Sequence, residues 1–118
     1  MWYGEGGKTA EKGGASMEKQ RLFKMTMVDR DFLMQGLRNY AVSVQSRGGN
    51  SEAVDALIRK TMAVTGGKLF LDESEYECAV RGINNLRDAY LSAGRSSGGI
   101  DRALFKLMNS KYKRAPVR

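Results

Sequence analysis

Apolar residues recur at helical spacing in four stretches of this chain, separated by polar or glycine-rich breaks. Leu33, Leu37, Tyr40, Ala41 and Val44 follow i, i+4, i+7, i+8, i+11, which predicts a helix over about 27–47. Tyr76, Ala79, Val80, Ile83, Leu86, Tyr90 and Leu91 predict another over about 73–93. Two shorter stripes follow these. Ala53, Val54, Leu57, Ile58 and Met62 mark a helix over about 51–64, and Ile100, Ala103, Leu104, Leu107 and Met108 one over about 97–112.

The helix ends carry their own signals. Asp72-Glu-Ser-Glu75 is a capping-box variant, and Thr26-Met-Val-Asp29 is a cap-like quartet at the matching place. Gly48 and Gly94 close the two long helices, because glycine takes the left-handed conformation without strain. Asn50 or Ser51, and Ser96 or Ser97, then cap the shorter ones. Two short β-prone runs, residues 21–26 and 67–72, each lead into a long helix and are suited to pair as a two-stranded ribbon.

The pattern repeats. Phe32–Met62 lies over Cys78–Met108 without a gap, an offset of 46. Eight pairs are identical: Gly36/Gly82, Asn39/Asn85, Ser46/Ser92, Gly48/Gly94, Ser51/Ser97, Asp55/Asp101, Lys60/Lys106 and Met62/Met108. Composition alone predicts roughly two. The expected fold is therefore mainly α: a duplicated helical hairpin forming a pseudo-symmetric four-helix domain, with the short ribbon beside it. The domain would span 21–112, as repeats over 21–64 and 67–112. A flexible Gly-rich arm over 1–20 would precede it, and a basic tail over 113–118 would follow.

Composition narrows the chemistry. There is no histidine, which removes the usual general base and the commonest metal ligand. One cysteine, Cys78, allows no internal disulfide. No apolar run reaches the roughly 20 residues of a membrane helix, and no signal-peptide core stands at the N-terminus. The expectation is a cytoplasmic, non-enzymatic protein with no cofactor and no metal. Gly6-Gly7-Lys8-Thr9 lacks the strand, spacing and helix of a phosphate-binding loop. Asp55 and Asp101 sit where carboxylates ordinarily offset a helix dipole, and Asn39 and Asn85 suit either register-fixing bonds or solvent.

Charge points to a partner. The net charge is +7, and residues 94–118 contribute +6 of it, seven Lys or Arg against one Asp. Arg102, Lys106, Asn109 and Lys113 would form one stripe on the last helix, extended by Lys111 and Arg114, with Phe105 and Tyr112 beside it. Basic residues flanked by aromatics suit nucleic-acid phosphates without sequence preference. The candidate binding residues are accordingly Arg102, Phe105, Lys106, Lys111, Tyr112, Lys113 and Arg114. An acidic protein partner, recognised by a regulator, inhibitor or adaptor, fits the same surface. A homodimer is a further state that this composition allows.

Overall fold

A computed structural model of the protein describes residues 19–114. The elements in order are β1 (Lys19–Lys24), α1 (Met27–Ser46), α2 (Glu52–Ala63), β2 (Lys68–Leu71), α3 (Glu73–Ser92), α4 (Gly98–Met108) and β3 (Lys111–Arg114). The described residues are mainly helical, with four helices and a small three-stranded antiparallel sheet in the order β2-β1-β3. Residues 1–18 and 115–118, which hold most of the expected arm, the Gly6-Gly7-Lys8-Thr9 run and the end of the expected tail, lie outside the described residues.

Local signals set the helices. Thr26 Oγ1 accepts from the Asp29 amide at 3.1 Å, and Asp29 Oδ2 accepts from the Thr26 amide at 3.0 Å. Asp72 and Glu75 make the same reciprocal pair, at 2.7 and 3.0 Å. Two free amides at each helix start are thereby satisfied. Gly48 and Gly94 adopt φ of 78° and 74°. The amides that follow, Gly49 and Arg95, reach back to the Val44 and Tyr90 carbonyls. This is the glycine-terminated closure that the sequence predicts. At α2 and α4 the acceptors are Asn50 Oδ1 and Ser96 Oγ, while Ser51 and Ser97 donate to Asp55 and Asp101.

The two long helices cross at glycine. A Cβ on Gly36 would lie 2.4 Å from the Gly82 carbonyl oxygen, so the backbones meet too closely there for any side chain. Phe23, Leu33, Leu37, Leu57, Leu69, Leu71, Ile83, Ile100 and Leu107 fill the core around this crossing. The inward stripe of α2 is Val54, Leu57 and Thr61, rather than one including Ala53 and Met62. Thr61 tolerates full burial because its hydroxyl donates to the Leu57 carbonyl at 2.8 Å. Met108 is likewise exposed, and Asn39 faces solvent.

The end of the chain departs most from expectation. Helix α4 stops at Met108, so Lys111, Tyr112, Lys113 and Arg114 belong neither to the helix nor to a free tail. The Asn109 side-chain amide donates to the Phe105 carbonyl, and the Ser110 amide to Leu107, which closes the last turn. The next four residues then pair with β1, with Leu22 opposite Lys111 and Lys19 opposite Arg114. The ribbon expected over 21–26 and 67–72 forms over 19–24 and 68–71 and gains this third strand.

Candidate nucleic-acid interface

The sheet has one covered face and one open face, and alternation decides which residues go where. Phe23, Leu69 and Leu71 are fully buried against the helices, with Phe23 opposite Leu69 and Arg21 opposite Leu71. Arg21 belongs to this covered side. Its guanidinium lies 4.0 Å from the Tyr76 ring centre and 4.8 Å from that of Tyr112. Tyr112 donates to Glu73, and that bond raises the phenol's pKa.

The alternate positions form the outer face. They are Gln20, Leu22 and Lys24 on β1, Lys68 and Phe70 on β2, and Lys111 and Lys113 on β3. Lys24 stands opposite Lys68, Leu22 opposite Phe70, Leu22 also beside Lys111, and Gln20 beside Lys113. Four exposed lysines therefore share one face, and no carboxylate occupies an outer position of the three strands. None of the four has an ion-pair partner among the described residues. A cleft of about 390 Å³ continues this face toward the end of α4, lined by Lys24, Lys106, Lys111 and Lys113 with Leu22, Asn109 and Ser110. Like charges set directly opposite each other weaken a sheet, as Lys24 and Lys68 do here. A polyanion laid across the face would relieve that repulsion.

Lys106 of α4 is committed elsewhere. Lys106 Nζ sits 2.5 Å from Asp29 Oδ2 at the start of α1. Burial by itself would raise the Asp29 pKa, but the bonds from Lys106 and from the Thr26 amide outweigh it, so the carboxyl titrates below its ordinary value. Arg102 and Phe105 are exposed, Phe105 by 71%, on the outer side of α4. Of the residues singled out by sequence, the outer sheet face gathers Lys111 and Lys113. It leaves Arg102 and Phe105 off the strands, beside Lys106 and Asn109 on α4, turns Tyr112 to the covered side and ties Lys106 to a carboxylate. Arg114 is exposed at the sheet's end, opposite Lys19.

Sequence reasoning missed Gln20, Leu22, Lys24, Lys68 and Phe70. The signal was present: once Phe23, Leu69 and Leu71 are assigned to the core, a period of two turns their neighbours outward.

The carboxylates and the thiol have structural surroundings. Ser51 donates to Asp55 at 3.1 Å, and Ser97 and Arg87 donate to Asp101 at 2.9 and 2.6 Å. The Arg87 and Ser97 bonds lower the Asp101 pKa. Burial pushes the Cys78 thiol up, away from the thiolate form that makes a nucleophile. Among the described residues, no three His, Cys, Asp or Glu groups cluster to hold a metal ion, and no helix is long and apolar enough to cross a membrane.

No family model matches the chain, and no curated protein or solved structure is significantly similar to it.

Proposed function

We propose that this protein is a non-enzymatic, cytoplasmic nucleic-acid-binding protein that lays the outer face of its sheet on a duplex. One observation carries the reading: Lys24, Lys68, Lys111 and Lys113 share an exposed face with no acidic residue at its outer positions. Strands in a sheet lie about 4.8 Å apart, so three of them span about 10 Å between outer backbones. The DNA major groove is about 12 Å wide and admits a two-stranded β-ribbon. In this reading β1 and β2 face the groove floor, while β3 brings Lys111 and Lys113 to the phosphates along one wall.

The chain's organisation supports the same reading. We take it as a duplicated strand-helix-helix unit whose copies pack about a two-fold axis. Gly36 meets Gly82, its own counterpart under the offset of 46. Phe23 pairs with Leu69, again its own counterpart. Lys60 binds Glu75, and Lys106 binds Asp29, so equivalent lysines reach across to equivalent carboxylates of the other copy. Such an arrangement brings the two equivalent strands side by side as one ribbon.

Fluorescence anisotropy with a labelled duplex of about 25 base pairs tests the proposal. Binding should be strong near 50 mM salt and fall steeply by 200 mM, since each phosphate contact contributes about 0.9 to the salt slope. Absence of binding at 50 mM rules the reading out. A second reading, a regulator or adaptor binding an acidic protein through α4, is favoured by the exposure of Phe105 and Met108 next to Arg102. A nuclease-resistant complex lost on Phe105→Ser would support it.

A further inference from the structure

We infer that the ligand of the outer sheet face is a directional, non-palindromic duplex site bound by one copy of the chain. The inference rests on the duplex-binding reading above and adds what kind of duplex the face accepts. A protein that reads DNA through an exact two-fold presents the same side chains twice and so matches a palindrome. Here both strands of the ribbon, β1 and β2, come from one chain, and their outward residues need not match.

They do not match. The backbone two-fold passes between Phe23 and Leu69, which are opposite each other and equivalent under the offset of 46. It equates Leu22 with Lys68, and Lys24 with Phe70. At both positions an apolar residue in one copy stands for a lysine in the other. The cross-strand pairs on either side of the axis are consequently Lys24 with Lys68 and Leu22 with Phe70. One end of the ribbon is doubly basic, and the other is doubly apolar. Rotation about the axis exchanges these ends, so the side chains abolish the symmetry that the backbone keeps.

The third strand adds to this polarity. It runs along β1 alone, so Lys113 lies beside Gln20 at the apolar end, and β2 has no such neighbour on its outer edge. Lysine suits the O6 and N7 acceptors of guanine, glutamine suits adenine, and apolar side chains suit the thymine methyl. The face therefore prefers guanine under the Lys24/Lys68 end and A·T pairs under the Leu22/Phe70 and Gln20 end, in one orientation only.

In vitro selection from a random duplex pool with the full chain tests this. The enriched site should be non-palindromic, guanine-rich at one end and A·T-rich at the other, and occupied by a single copy. Each wrong base pair should weaken binding on the order of tenfold. An iron chelate attached to a Ser74→Cys variant, at the exposed start of α3 just beyond the Leu22/Phe70 end of the ribbon, should cleave the selected duplex at its A·T end alone. The L22K/F70K variant, with lysines at all four two-fold-related positions, should lose the preference for one orientation and cleave at both ends when it carries the same chelate. A palindromic site, cleavage by the parent at both ends, or an unenriched pool despite firm low-salt binding overturns the inference and leaves duplex binding standing. Loss of all duplex binding at low salt removes the functional reading beneath it as well.

Discussion

Lys106 on α4 and the lysines on the outer side of the sheet are both basic, yet their charges are in different states. On α4, Lys106 is held 2.5 Å from Asp29, and the neighbouring Asp101 answers Arg87. On the sheet, Lys24, Lys68, Lys111 and Lys113 extend into solvent without an acid among the described residues to meet them. A lysine already bound to a buried carboxylate chiefly stabilises the fold. A lysine with no partner is available to a ligand. Counting charge along the chain cannot separate the two, whereas the positions of the carboxylates do.

That contrast can be broken in several ways. The largest effect is expected from K24A/K68A/K111A/K113A. Duplex affinity should fall by at least about a hundredfold near 0.1 M salt, and the salt slope by about 2, for the two phosphate contacts of Lys111 and Lys113. The matched R102A/F105A variant should change affinity by less than about threefold, measured by the same anisotropy titration. If the α4 variant has the larger effect, the roles of the two surfaces are reversed.

Gly36→Ala should unsettle both faces together, because the new methyl meets the Gly82 backbone, which cannot swing aside. The expected cost is about 2–3 kcal/mol. It should appear in urea unfolding as a lower midpoint. An unchanged midpoint would mean that the helix crossing is looser than the glycine contact implies.

Lys106→Met should separate stability from binding. Loss of its ion pair should cost about 1 kcal/mol at neutral pH, since the lysine is half-exposed and screened by water. The sign with pH follows from Asp29, whose folded pKa lies below its ordinary value. Such a group contributes stability above its unfolded pKa, and the contribution disappears as the pH falls through the folded one. Parent and variant should therefore converge in acid, and their duplex affinities should stay within about threefold throughout. The smallest effect is expected from Phe105→Ser: a stability change within about 0.5 kcal/mol by thermal melting, because the ring is mostly in solvent.

Legibility in the sequence followed the range of the interactions. Both capping boxes and both glycine-terminated closures join residues within a few positions of each other, and both were readable from residue type alone. The α4 stripe was read too far because Arg102, Lys106, Asn109 and Lys113 keep helical spacing across Asn109-Ser110, where the helix ends. The partner of the residues beyond that break is β1, more than 85 positions earlier in the chain. The Lys106 ion pair was out of reach for a related reason, since its carboxylate is 77 residues away.

By itself, the sequence determined four helices, where they start and where the first three end, two β-prone runs and an excess of positive charge. Those follow from local backbone geometry and the spacing of apolar residues. Only the tertiary structure decided that Lys111–Arg114 add a third strand, that Lys106 is tied to Asp29, and that four lysines from three separated segments share one face. Each of these depends on pairing between distant segments. Periodicity within one segment carries no information about which distant residue will stand opposite.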